Sequence, residues 1–239
     1  MSFVKTLSDL AMHRGRSDTF ASFCRLAACS LSVMTREPQY LEEAKRWKPD
    51  ELKIFAEALA QLVMEMNNQP FADLLGPAWM DEAFGKRRAG EFYTPQDISD
   101  LMAQMTLGNP KEMFKGRAYV TFCEPACGSG TMILSAAKVL GFYRSRSLFT
   151  AIDISPIACD MTFINCTLWG IPCRILHGNA LSNEYWAEYR TMFWPRDPDF
   201  VQGTPPPVPL REQLRRQLRG KGIDWKKINA IKKHYSKTA

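Results

Sequence analysis

With 239 residues, 46% of them apolar, the chain has room for one domain with a real core, or for a compact domain with a helical appendage, and global disorder is excluded. The longest apolar stretch near the start, 20–34, is interrupted by Arg25 and is too short and too polar to span a bilayer; no secretory leader precedes it, so neither membrane nor export is expected. The net charge of +6 is uneven: residues 203–239 carry ten Lys/Arg against Glu212 and Asp224, a net of +8, and the rest of the chain sums to −2.

In chain order, residues 1–89 read as a helical N-terminal region. Pro49-Asp50-Glu51-Leu52 opens a helix, with acids beside the positive end of its dipole. Leu52, Phe55, Leu59, Leu62, Val63 and Met66 follow at helical spacing, and Asn67-Asn68-Gln69-Pro70 ends the run. This stripe reads as packing. A second short helical segment, 71–84, is expected to break at Gly76-Pro77. The basic loop Gly85-Lys86-Arg87-Arg88-Ala89-Gly90 then leads into Glu91-Phe92-Tyr93-Thr94-Pro95 and a helical pattern from Gln96 to Met105. By residue type alone, Thr94-Pro95 is an N-cap followed by proline in the first helical turn.

Residues 90–202 change texture. Candidate strands at 118–124, 148–154 and 173–176 alternate with helical patterns at 131–140 and 156–169, the signature of a parallel α/β sheet. Beyond Asn179 the pattern fades: 184–200 is rich in Trp and Tyr without a clear period. Residues 203–239 form a third region, a stiff Pro-rich linker at 204–209 followed by a basic tail. The seven cysteines are scattered and odd in number, with no Cys-x-x-Cys pair. They read as reduced thiols in a cytoplasmic chain without a metal centre.

The sharpest local signal is Glu124-Pro125-Ala126-Cys127-Gly128-Ser129-Gly130, between a strand and a helix. Small residues there let backbone approach a ligand, and the helix start offers free N–H groups. A P-loop would need a lysine at the end of the turn, and none follows before Lys138; a dinucleotide fingerprint would need a third glycine where Ile133 stands. With no pyrophosphate to cradle, the loop suits one nucleoside carrying a charged amino-acid arm. Asp153 ends the next strand and can accept both ribose hydroxyls, or cap the helix that begins at Ser155-Pro156. Asn179 ends the third strand. Its amide suits an adenine edge, or a turn.

Together these segments resemble the adenine-N6 DNA methyltransferases related to the modification subunits of type I restriction systems. Glu124-Pro125-Ala126-Cys127-Gly128-Ser129-Gly130-Thr131 is similar to their cofactor motif, and Phe92-Tyr93-Thr94-Pro95 to the segment that precedes it. The resemblance covers roughly 71–182. It implies an α/β fold with an incomplete Rossmann-like S-adenosylmethionine-dependent methyltransferase sheet behind the helical region. It further implies that Phe92, Tyr93, Thr94 and Pro95 flank S-adenosylmethionine, with Glu124, Cys127 and Gly128 under the methionine, Asp153 on the ribose and Asn179 on the adenine; Pro125 and Gly130 complete the cofactor-binding set.

That family transfers methyl at a loop reading Asn or Asp, Pro, Pro, then Tyr or Phe, where the aromatic ring stacks on a flipped base. The nearest segment here, Asp197-Pro198-Asp199-Phe200, lacks the second proline, and Asp197, Pro198 and Phe200 are the only catalytic candidates. The chain therefore reads as a truncated member that transfers methyl to adenine only when a partner or an unrecognised loop completes the site. The alternative is a non-catalytic DNA-binding or regulatory protein that retains the pocket. In the family's strand order the fourth strand would cover the strand at 118–124. An exposed edge there is a hazard, so residues 184–202, a second copy or a partner subunit are expected to cover it. DNA is the expected partner of the basic tail and of the Lys86–Arg88 loop, through phosphate contacts that weaken with salt.

Overall fold

The computed structural model describes residues 2–33, 35–80 and 93–195. Contacts divide the chain into Met1–Thr204 and Pro205–Ala239, and all described residues lie in the first unit. Lys86–Arg88, Phe92, Asp197, Pro198, Phe200 and the basic tail lie outside the described residues.

The N-terminal region is helical: α1 (Phe3–Arg14), α2 (Arg16–Leu31), α3 (Glu37–Ala44), α4 (Pro49–Asn68) and α5 (Leu75–Met80). The stripe on α4 buries Phe55, Ala58, Leu62 and Met66, and this helix packs on α1. Phe20 and Phe23 of α2 are fully buried, each worth about 1.5–3 kcal/mol relative to exposure. Gly76-Pro77 does not break α5, contrary to the expectation from sequence. Pro77 is the third residue of the helix, where the missing N–H has no intrahelical acceptor to lose.

There follow α6 (Gln96–Leu107), α7 (Pro110–Met113), β1 (Val120–Glu124), α8 (Thr131–Leu140), β2 (Ser147–Asp153), α9 (Pro156–Leu168), β3 (Cys173–Asn179) and β4 (Glu184–Arg190). Pro95 is itself the N-cap of α6, so the helix begins one residue later than a Thr94 cap would give. The sheet order is β1-β2-β3-β4, with β1 parallel to β2 and β2 parallel to β3, so the fold is mixed α/β with a mostly parallel sheet. Central β2 is buried along nearly its whole length, whereas β1 alternates half-buried and exposed residues as an edge strand does. Helix α9 packs on β2 and β3 with α2 against it, and α6 packs on α8.

β4 corrects the reading of 184–202 as a cover for β1. Glu184–Arg190 runs antiparallel to β3, at the opposite side of the sheet. Only Ala180–Asn183 separates β3 from β4, and Asn183 adopts a positive φ of 59°, so the chain reverses at once. A connection this short can form an antiparallel neighbour but cannot cross the sheet. Among the described residues, β1 pairs with β2 alone.

The N-terminal helices are joined to the α/β layer by a buried ion cluster. Asp160 of α9, 2% exposed, accepts from Arg25 at 2.6 Å and from Arg36 at 2.8 Å, and Arg36 stacks over the Tyr189 ring of β4 at 4.0 Å.

Candidate functional site

The register of the sheet builds the site. Glu124, the last residue of β1, stands opposite Ala151, so β2 continues two residues further to Asp153. The loop after β1 folds over that extension. The Cys127 amide donates to the Ile152 carbonyl at 2.9 Å, and the Gly128 amide to Asp153 Oδ2 at 2.8 Å. Asp153 Oδ1 accepts the Ser155 amide at 2.8 Å, so the carboxylate spans the loop after β1 and the start of α9. Gly128 and Gly130 take φ of 53° and 90°, left-handed conformations that glycine adopts without a Cβ clash. A Cβ on Gly128 would lie 2.9 Å from Cε1 of Tyr93, so the ring and the loop backbone meet closely.

Between Tyr93 and the loop lies a cleft of about 210 Å³. One wall is Tyr93 and Thr94, another Ala126, Cys127 and Gly128, and Thr131 and Met132 of α8 add to it. The end of β2 and the start of α9 supply Asp153, Ile154, Ser155 and Ala158. Burial, the neighbouring Cys159 and the Asp153 charge push the Cys127 thiol well above its ordinary pKa, against the Thr162 hydrogen bond, so it serves the cleft as an uncharged wall.

Of the residues singled out in the sequence, Tyr93, Thr94, Cys127, Gly128 and Asp153 come together at this cleft. Pro95 adjoins it as the N-cap of α6. Gly130 sits behind the loop, where a Cβ would be 3.1 Å from Thr162 Oγ1, and Pro125 is exposed. The Glu124 carboxylate accepts the Ala126 amide at 3.3 Å and borders a second groove, with Met102 of α6 and Phe122 of β1. Burial raises its pKa above the usual glutamate value; the Ala126 N–H works against this and the Asp153 charge adds to it. Asn179 is not brought to the cleft lining. Its side-chain oxygen accepts the Leu181 amide at 2.9 Å, which is the turn geometry weighed as its other reading.

Sequence reasoning missed Asp73, which is 7% exposed beneath the glycine loop. Its Oδ2 accepts the Ser129 hydroxyl and, at 2.7 Å, the Thr131 hydroxyl. Oδ1 accepts the Leu75 and Gly76 amides at 3.1 and 3.0 Å and the Asn165 amide at 3.2 Å. An Asp two residues before a short helix is a capping signal that a sequence does show. Its hydrogen bonds to a loop 56 residues away are visible only in three dimensions.

A family model for the N-6 DNA methylases matches residues 80–207, more than half of the chain. The methylase subunit of the type I restriction enzyme MpnII of Mycoplasma pneumoniae is 28% identical over 107 residues, which span 43% of this chain and 19% of that subunit. A Listeria monocytogenes protein assigned to the class I S-adenosylmethionine-dependent methyltransferases superposes with a TM-score of 0.50 at 13% identity, over 76% of this chain and 54% of its own, a likeness of fold. The methyltransferase subunit of a type I restriction-modification system from Streptococcus thermophilus superposes with a TM-score of 0.40 at 20% identity, over 61% of this chain and 31% of that one.

Proposed function

The chain belongs to the N-6 DNA methylase family, and we propose that it binds S-adenosylmethionine in the cleft between Tyr93 and Asp153 and serves methyl transfer to adenine N6 in DNA. The observation that carries this reading is the joint between Gly128 and Asp153. It holds a carboxylate, with lone pairs to spare, at the end of β2 beside a loop that carries no Cβ at Gly128, where it passes the cleft. That arrangement fits one nucleoside with a charged arm: ribose hydroxyls on Asp153, the arm between Tyr93-Thr94 and Cys127-Gly128. In this reading the partly buried Glu124, in the groove beside the cleft, attracts the positive charge of the arm, while Asn179 stays in its turn and is given no ligand role. Phe92, Pro95, Pro125 and Gly130 shape the surrounding turns.

When bound, the cofactor supplies an electrophilic methyl group on a sulfonium. The contribution of this chain is to fix the arm and ribose and to keep water from them behind Tyr93. A flipped adenine needs a polar group to hold its amino nitrogen and an aromatic face to stack on. The proposal assigns these to Asp197, Pro198 and Phe200 or to a partner subunit. The M. pneumoniae relative is itself named as a subunit, and the chain spans only 19% of its length. A partner subunit or a second copy would also cover β1, which pairs only with β2 among the described residues. DNA would meet the Lys86–Arg88 loop and the basic tail, with affinity falling steeply as salt rises.

The test is methyl transfer from radiolabelled S-adenosylmethionine to unmethylated duplex DNA, with the product base identified. N6-methyladenine above the protein-free control supports the whole reading. Cofactor binding without transfer rejects transfer by this chain alone.

A further inference from the structure

We propose that Asp73 is the positioning residue that sets the width of the cleft at its methionine end; this rests on the assignment of the cleft to S-adenosylmethionine. The two walls at that end are the segment Tyr93-Thr94, which leads into α6, and the loop from Gly128 to Thr131. Both are fastened to residue 73. Its backbone N–H donates to Gln96 Oε1 at 3.1 Å, at the first residue of α6, and Gln96 Nε2 donates onward to Ser135 of α8 at 3.0 Å. Its carboxylate takes the Ser129 and Thr131 hydroxyls from the other wall.

The carboxylate is acceptor-only and meets five donors, among them the amides that begin α5. Such a group has one low-energy orientation, so both walls inherit a fixed separation. The site itself records how closely this is set. A Cβ on Gly76 would fall 2.5 Å from Ser129 Oγ, and a Cβ on Gly128 2.9 Å from the Tyr93 ring, so neither side of the clamp has slack. Thr131 lines the cleft while its hydroxyl points to Asp73, which commits that hydroxyl to spacing and not to a ligand.

A clamp on the arm predicts a selective loss. S-adenosylmethionine and 5′-methylthioadenosine share the nucleoside, and only the first carries the amino-acid arm. Asp73→Ala, and Ser129→Ala, which leaves the Leu75 and Gly76 hydrogen bonds on Asp73 intact, are each compared with the intact protein by calorimetric titration of both ligands. The account expects S-adenosylmethionine affinity to fall about tenfold or more, the worth of one hydrogen bond to a charged group, with 5′-methylthioadenosine within about threefold. Asp73→Asn, which keeps an acceptor for the α5 amides and can donate to a turned Ser129 hydroxyl, recovers part of the loss. Equal losses for the two ligands, or none, in the Ser129 variant would overturn the clamp while leaving the cofactor site standing. An intact protein that binds neither ligand would overturn the assignment of the cleft itself.

Discussion

The Gly128 amide donates to the Asp153 carboxylate at 2.8 Å, and the same carboxylate takes the Ser155 amide at 2.8 Å through its other oxygen. The residue proposed to hold ribose is therefore also the tie between the glycine loop and the start of α9. Asparagine is not an equivalent replacement, because two N–H donors would face one oxygen and one NH₂. Asp153→Asn is expected to lose about 1–3 kcal/mol of stability. Urea unfolding checks this through a lowered midpoint at unchanged slope.

Gly76 tests the packing beneath the loop. Its backbone is ordinary, but an added Cβ would run into the Asp73 carboxylate and the Ser129 hydroxyl. Gly76→Ala is expected to cost about 1–3 kcal/mol from overpacking. Gly108 has φ of 56° and ψ of −126°, outside the left-handed helical region, with open space around it, so Gly108→Ala meets backbone strain alone, about 1–3 kcal/mol. Thermal unfolding should show a loss of this size in each variant, and a Gly76→Ala variant as stable as the intact protein would contradict the tight packing under the loop.

Glu124 gives the pH dependence. Burial lifts its folded-state pKa above the ordinary 4.5, so as pH rises the unfolded chain releases this proton first. The stability this carboxyl contributes to the free protein is present at acid pH and is lost as pH rises to the folded-state value. A cationic arm facing Glu124 favours the ionised form, so S-adenosylmethionine affinity should rise with pH over the same window. Glu124→Gln should flatten that rise. An affinity that does not rise as pH climbs above the ordinary glutamate value of 4.5 in the intact protein would remove Glu124 from the site.

The Asp160 cluster predicts a large effect far from the cleft. Asp160→Ala leaves Arg36, 3% exposed, as a buried charge without its carboxylate. Breaking a buried pair in this way costs about 3–5 kcal/mol. Replacing both Asp160 and Arg36 with apolar residues of similar volume should recover most of it, as measured by urea unfolding.

The α/β layer was legible because its signals are local. Apolar runs at 148–154 and 173–176 are β2 and β3, and the pattern at 131–140 is α8 to the residue. The contact of Asp153 with the start of α9 was one of the two readings its position offered, whereas its hydrogen bond to Gly128 was not legible. β4 was missed because exposed Trp186 shares a face with Glu184, Glu188 and Arg190, and only Ala187 and Tyr189 are half-buried, so the alternation is short and weak. Asp73 and the Asp160 cluster were missed for the opposite reason. Each is a buried carboxylate with side-chain partners more than fifty residues away, and no periodicity within a segment encodes such a contact.

The most direct measurement is calorimetric titration of S-adenosylmethionine into the intact protein and into Asp153→Ala, with folding of both verified by circular dichroism. The account predicts saturable binding by the intact protein and at least about a tenfold loss in the variant, the equivalent of one charge-assisted hydrogen bond. Absence of binding by the folded intact protein, or equal affinity in the variant, would contradict it.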